Sequence, residues 1–331
     1  MAFQRYRGWI AAGLAAIGLS QSTATFAQTP INAGATPNRF EIALIGDAPY
    51  SALEERQYPN VVADINRSKS AFVIHDGDIQ SSASPCTDEL TLSRRSLYQT
   101  FRIPFVLVPG DNEWTDCHRT GGDPLARLAK LRELFFATDY SLGQTVLKLE
   151  RQSQSPKSAT YRENVRWGYG SVLFVGLHLV GSNNNFGRTP EMDREFKARD
   201  RANLDWLKSS FALARQQQRS GIMLVMQANP GFELPREQRT GFNDFLDALL
   251  PEAIAFAKPV ALVHGDSHYF RIDKPLVGPR NQRVMNFTRV ETFGPPDMHW
   301  VRATIDPTDP NLFEFEPVTV KANIMSASGN R

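Results

Sequence analysis

Five Gly-Asp pairs stand in the sequence, at 46–47, 77–78, 110–111, 122–123 and 265–266, where chance pairing of 22 Gly with 19 Asp would give about one. Four of them close an apolar run. Glycine lets the backbone turn sharply at such a point, and aspartate is a short, hard oxygen ligand. In α/β sheets, ligands bind outside the carboxyl ends of the strands. Asp47, Asp78, Asp111 and Asp266 are therefore expected to converge, joined by His268 from Gly265-Asp266-Ser267-His268. One Gly-Asp is ordinary turn chemistry; four of them with a histidine point to a shared site. Four uncompensated carboxylates in one place repel each other, so a cation is their natural companion.

The elements that must carry these residues alternate between strand-like and helix-like. Strands are expected at Phe40–Ile45, Ala71–His75 and Phe105–Val108, each followed by a helix, over about 53–67, 88–101 and 125–136. Further strand-like runs cover 171–180, 221–227, 260–264, 283–293 and 300–305. A long polar helix is expected over about 190–218, and another over about 235–257 that Pro251 should break. The early runs are apolar throughout rather than alternating, which suits strands buried on both faces beneath helices. The late strands lack intervening helices and suggest a second, partly antiparallel sheet. The expected class is α/β, two sheets sandwiched between helical layers.

The ordered motifs Ile45-Gly46-Asp47, Gly77-Asp78, Pro109-Gly110-Asp111-Asn112-Glu113 and Gly265-Asp266-Ser267-His268 resemble those of the calcineurin-like metallophosphoesterases, over roughly residues 40–305. The resemblance implies a four-layer αββα sandwich that hydrolyses phosphate esters at two divalent metals bridged by an aspartate and a hydroxide. By position it implies that Asp47 serves the first metal, Asp78 bridges, and His268 is the last histidine ligand. Elsewhere the chain departs from the pattern. Pro49 stands where the family has a histidine ligand, Asp111 where it has an asparagine, and Asp266 where it has a histidine. The family's later histidine is replaced within Met226-Gln227-Ala228-Asn229-Pro230, where Gln227 or Asn229 offers an amide oxygen. By the same resemblance Asn112 aligns with the histidine that protonates the leaving group or stabilises the transition state; asparagine donates hydrogen bonds but is no general acid at neutral pH. Another register makes Asn112 the ligand and puts Glu113 in the histidine's place.

The expected metal set is thus Asp47, Asp78, Asp111, Gln227, Asp266 and His268, holding one or two divalent ions. Oxygen ligands favour hard cations, so manganese or magnesium is expected over zinc. Asn112 and His118 are the catalytic candidates, His118 as a replacement acid if a disulfide pins its loop. His178 can line the cleft from a central strand. His75 and His264 end buried strands, where a core role competes with a site role, and His299 suits packing. Asn183-Asn184-Asn185 reads either as polar contact with a substrate or as a turn, and Arg289 either as a phosphate contact or as a member of an ion pair.

The chain has 331 residues, 41% hydrophobic and 22% charged, with a formal net charge of +2. That is a globular composition with no sign of a polyelectrolyte partner, so nucleic acid is not indicated. Arg5 and Arg7, an eleven-residue apolar stretch Trp9–Leu19 and Thr25-Phe26-Ala27 read as a signal peptide over 1–27. The stretch is too short to span a membrane, which takes roughly 20 residues. A lead-in over 28–38, a domain over 39–320 and a polar tail over 321–331 complete the expected layout, with periplasmic or secreted location. In an oxidising compartment the two cysteines, Cys86 and Cys117, are expected to pair. The leading reading is metal-dependent hydrolysis of a phosphate mono- or diester, with a small-molecule or exposed ester as substrate. The rival is a phosphoesterase-like binding protein that has lost catalysis.

Overall fold

The computed structural model describes residues 29–30 and 39–324. The expected signal peptide lies outside them, as do 28 and 31–38 of the lead-in and 325–331 of the tail.

Two mixed sheets face each other. The five-stranded sheet runs β14-β13-β2-β3-β4, from β2 (Phe40–Ile45), β3 (Ser70–His75), β4 (Phe105–Leu107), β13 (Trp300–Ile305) and β14 (Phe313–Val318). Its members β2, β3 and β4 are parallel, and β13 is antiparallel to both neighbours. The seven-stranded sheet runs β11-β12-β10-β9-β8-β7-β6. It is built from β6 (Glu150–Arg151), β7 (Val165–Tyr169), β8 (Val172–Gly176), β9 (Gly221–Val225), β10 (Val260–His264), β11 (Arg271–Asp273) and β12 (Phe287–Glu291). Here β8, β9, β10 and β12 are parallel and the outer strands antiparallel. A short pair joins β1 (Thr29–Pro30) to β5 (Thr145–Val146).

Helices α1 (Ala52–Arg67), α2 (Asp88–Tyr98) and α3 (Pro124–Phe135) follow β2, β3 and β4. Each begins at a side-chain cap: Ser51, Thr87 and Asp123 accept backbone N–H groups of the first turn. The fifth Gly-Asp pair, 122–123, is thus a helix cap. The short turn α4 (Gly181–Asn184) is followed by α5 (Pro190–Gln216), capped by Thr189, and α6 (Asn243–Phe256) covers the other sheet beside α5.

The all-apolar strands fill two cores at once. Phe72 and Ile74 of β3 face the space between the sheets, against Trp167 and Phe174, while Val73 faces α1 and Tyr98. On the far side, Leu173, Val175, Ile222, Leu224 and Leu262 meet Trp206, Leu207 and Phe211 of α5 and Phe245, Leu249 and Phe256 of α6. The αββα sandwich expected from the sequence is therefore the observed architecture.

Several elements differ from expectation. The late strands do not form a sheet of their own: β12 extends the seven-stranded sheet and β13 the five-stranded one. The run over 171–180 is a strand only to Gly176, and beyond it the chain turns into the site. Helix α6 starts at Asn243 and continues through Pro251. The carbonyl freed there belongs to Asp247, which is exposed to water, and the buried face of α6 holds the helix on the sheet. Among the described residues no helix is long and apolar enough to cross a membrane.

Candidate metal centre

The carboxyl ends of β2, β3 and β4 meet those of β8, β9 and β10 along one edge of the sandwich. Backbone bonds continue past the strands and tie these ends together. Asp47 N donates to the Gly77 carbonyl at 3.0 Å, Ala48 N to the Asp78 carbonyl at 3.1 Å, and Gly265 N to the Gln227 carbonyl at 3.0 Å. Asp47, Asp78, Asp266 and His268 all hold positive φ, at 45°, 57°, 77° and 61°. Residues with a Cβ rarely adopt this region, and such strain gathers at functional sites.

The four expected aspartates come together. Tyr50 Oη lies 2.8 Å from Asp78 Oδ2 and 3.3 Å from Asp47 Oδ1. Asp47 Oδ2 accepts Asp266 N at 2.9 Å, and His268 Nε2 lies 3.8 Å from Asp47 Oδ1. Gly181 marks the other half of the cluster: a Cβ there would stand 2.6 Å from Asp266 Oδ1 and 2.8 Å from each oxygen of Asp111. Only glycine lets these two carboxylates share one space.

Three further acids crowd the cluster. Asp76 accepts Thr292 Oγ1 at 2.8 Å and approaches Asp47 across Gly265. Asp116 accepts Ser182 Oγ at 2.7 Å and pairs with Arg119 at 2.9 Å. Glu113 accepts Gly110 N at 2.6 Å. It is turned into the backbone, whereas Asn112 faces the cluster: its N–H donates to Asp78 Oδ1 at 3.0 Å, and Nδ2 to Asp78 Oδ2 at 2.8 Å and to Tyr50 Oη at 3.0 Å. Asp111 and Asn112 both reach the carboxylate cluster, so both registers left open by the sequence keep Asn112 at the site.

Burial and mutual repulsion dominate the electrostatics. Burial, then the charge of Asp266 and Asp116, raises the Asp111 carboxyl to about 7. Burial, then Asp76 and Asp266, raises Asp47; burial, then Asp111 and Glu113, raises Asp78. Burial holds the His268 imidazole below its ordinary value.

The remaining expected residues are placed as follows. Gln227 spends its amide oxygen on Gly181 N at 2.6 Å and turns Nε2 to Asp266 at 3.4 Å. Asn229 N donates to Asp266 Oδ2 at 3.1 Å. His118 Nδ1 lies 2.8 Å from both the Thr115 carbonyl oxygen and Arg188 Nη1, able to bond one of them in each tautomer, and His118 makes no hydrogen bond to the carboxylates. Its loop is pinned as expected, by a Cys86–Cys117 disulfide with Cα atoms 5.6 Å apart. His178 is buried against Glu163 at 2.8 Å, and His75 and His264 are buried and held near 3 by desolvation. Arg289 belongs to an ion-pair cluster with Asp273 and Glu233. Tyr50 and Gly181 were not singled out from the sequence. Neither residue type signals a ligand, although Tyr50 stands three residues after Asp47, within reach of the same strand end.

The donor set fits a hard cation in kind: oxygen atoms prevail, and Asp111 Oδ1 is buried with no hydrogen-bond partner. Among the described residues, no three His, Cys, Asp or Glu side chains are already arranged to hold an ion.

No protein-family model matches the chain, and no curated protein sequence does. Among solved structures, it is similar to a dimetal phosphatase from Danio rerio, at 12% identity and a TM-score of 0.54, covering 85% of this chain and 96% of that one. It also matches a purple acid phosphatase from yellow lupin (Lupinus luteus) seeds at 12% identity and a TM-score of 0.49, over 88% of this chain and 55% of the other. A 5'-nucleotidase from Candida albicans matches at 11% identity and a TM-score of 0.45, over 86% and 52%. The first likeness establishes a shared fold, the metallophosphoesterase sandwich expected from the motifs; the other two are too distant to argue from.

Proposed function

We propose that the protein is an exported, metal-dependent phosphoesterase. The observation that supports this is the gathering of Asp47, Asp78, Asp111 and Asp266 at strand ends that belong to a phosphatase fold, with Asp111 Oδ1 left unpartnered. Asp47, Asp78, Asp111, Asp266 and His268 would hold one or two divalent ions, manganese or magnesium in preference to zinc. Ligation requires the carboxylates now bonded to Tyr50 and Asn112 to turn toward the ion. Bound there, the ions supply Lewis acidity and lower the pKa of a water.

The chain's own residues do the rest. Asn112 Nδ2 is aimed at the carboxylates and can donate to a phosphoryl oxygen in their place. Tyr50 Oη stands beside it and can donate to the departing oxygen. Gly181 keeps the space between Asp111 and Asp266 open, and its N–H fixes Gln227. The bridging part falls to Asp78, which Asn112 orients through both of its oxygens.

A second reading, a binding protein without catalysis, is favoured by one observation. The Tyr50 hydroxyl already sits between Asp78 and Asp47, 2.8 Å and 3.3 Å away, with its one proton to share between them, as a group occupying the centre of an unused site would. Metal analysis of the purified mature protein, with assays on p-nitrophenyl phosphate and bis(p-nitrophenyl) phosphate, separates the two. Stoichiometric metal with turnover supports the enzyme; neither metal nor turnover supports the binding protein.

A further inference from the structure

A cleft of about 350 Å³ opens beside the acidic cluster, lined by Gly181, Asp266 and Asn229 on the cluster side. Its far wall comes from the loop over 230–242, which supplies Pro230, Leu234 and Arg239. The two walls are pinned together. Asn183 Oδ1 accepts Gly241 N at 2.9 Å, Asn183 Nδ2 donates to Thr240 Oγ1 at 3.0 Å, and Asn184 Nδ2 donates to the Gly241 carbonyl at 3.0 Å. Gly241 is needed for this approach, since a Cβ would fall 2.1 Å from the Asn183 carbonyl oxygen. Residues 182–185 all hold positive φ, so the Asn triplet forms a left-handed turn whose side chains clamp the cleft. A wall fixed before any ligand arrives reduces the ordering cost of binding.

Among the described residues that line the cleft, Arg239 is the one cation, and the arginines around it are engaged elsewhere. Arg236 is bonded to both oxygens of Asp247, Arg119 is paired with Asp116, and Arg188 is used by Thr115 and Asn185. Arg239 donates NH1 to the Gly231 carbonyl at 3.3 Å, and its buried Nε has no partner. Among the described residues no carboxylate lies within ion-pair distance of it. Pro230, Leu234 and Phe242 give this wall its apolar surface, with Leu234 left 44% exposed, and Gln238 and Thr240 add neutral polar groups. Glu237 also lines the cleft, but it is exposed, where solvent screens its charge.

We propose that this cleft receives the leaving group of the ester, and that Arg239 selects leaving groups bearing an acidic substituent behind an apolar body. The proposal rests on the phosphoesterase reading for its placement, since Asp266 belongs to both the cleft and the acidic cluster. Guanidinium and carboxylate form a strong charge-assisted pair, and the apolar body lies against Pro230 and Leu234.

Calorimetry on the purified protein with 4-hydroxybenzoate and phenol, the products of the matching aryl phosphates, reads the subsite without turnover. The expected result is binding of 4-hydroxybenzoate at least about tenfold tighter than phenol. Arg239→Gln should bring the two to parity and Arg239→Lys should keep an intermediate preference. Parity in the unaltered protein overturns the inference, as does a preference that survives in Arg239→Gln with its melting temperature unchanged. If Arg239→Gln does not fold, full preference retained in Arg239→Lys overturns it, because lysine lacks the forked donor. Hydrolysis rates on 4-carboxyphenyl phosphate and phenyl phosphate are followed in parallel. Hydrolysis of both without preference leaves the phosphoesterase standing and removes the subsite; binding preference without hydrolysis does the reverse.

Discussion

At the scale of single residues, the site is a set of acids held where acids are costly. Asp111 shows this best: buried, facing Asp266 across Gly181, it is raised to about 7. A carboxyl raised in the folded state adds stability that is complete below its unfolded value, near 4, and is lost as pH rises through 7. Chelator-treated protein should therefore melt at a lower temperature at pH 8 than at pH 6. In Asp111→Asn, thermal melts should show that slope reduced, with the remainder carried by Asp47, Asp78 and Glu113, which burial also raises; a slope equal to the parent's would contradict the charge crowding described here. Gly181→Ala tests the same crowding sterically. Its methyl group would collide with both carboxylates, which costs about 1–3 kcal/mol of overpacking. Metal uptake measured by calorimetry should disappear, although no acid has been removed. Legibility in the sequence followed residue type. Asp47, Asp78, Asp111, Asp266 and His268 announce themselves by charge and by their glycines. Tyr50 and Gly181 do not, because one works through a hydroxyl on a large ring and the other through having no side chain. Gln227 illustrates the opposite limit: its amide was legible as a donor of oxygen, but the Gly181 N–H that takes this oxygen comes from a distant strand end.

At the scale of elements, the strands that carry motifs were legible because both of their faces are buried, which leaves continuous apolar runs. The edge strands β6, β11 and β14 were not, whereas β4, also an edge strand but buried along its length, was. β14, Phe-Glu-Phe-Glu-Pro-Val, alternates half-buried phenylalanines with exposed glutamates on an edge of the five-stranded sheet, a weak signal beside the long runs. β6 and β11 have only two and three residues. The Asn triplet was legible as a turn or as a contact surface; it is a left-handed turn, and its clamp on residues 240–241 depends on a loop 57 residues away. Behind the site, Glu163 joins elements of both layers, bonding Arg132 of α3 through both oxygens and His178 after β8. Glu163→Gln leaves the Arg132 guanidinium without its counter-charge and removes the acceptor of the neutral His178 imidazole, and it should cost about 3–5 kcal/mol in denaturant unfolding. Burial lowers the His178 imidazole to about 4. Its contribution is present above the ordinary histidine range, near 6.5, and is lost as pH falls through 4. His178→Gln should flatten that acid limb of the stability curve; an unchanged limb would show that His178 is not its source.

At the scale of the whole molecule, the sandwich sets two groups of parallel strands with their carboxyl ends on one edge, which is why residues more than 200 positions apart, such as Asp47 and Asp266, share a hydrogen bond. That order of motifs was legible. The assignment of late strands to sheets was not, because β12 and β13 are adjacent in sequence but join different sheets. The disulfide closes a 31-residue separation between the loop before α2 and the segment carrying Asp116 and His118. Chain-entropy reasoning gives it about 3–4 kcal/mol. The Cys86→Ser, Cys117→Ser double variant should unfold at correspondingly lower denaturant, and stability equal to the parent's would show that the bridge constrains little. The central claim is that the oxygen-rich cluster holds hard divalent ions and uses them on phosphate esters. The most direct measurement is reconstitution of metal-stripped protein with manganese, magnesium or zinc, following p-nitrophenyl phosphate hydrolysis beside Asp78→Asn. The account predicts activity restored by manganese or magnesium above zinc, and none in Asp78→Asn. Full activity with zinc alone, an active Asp78→Asn variant, or no activity with any of the three ions would contradict it.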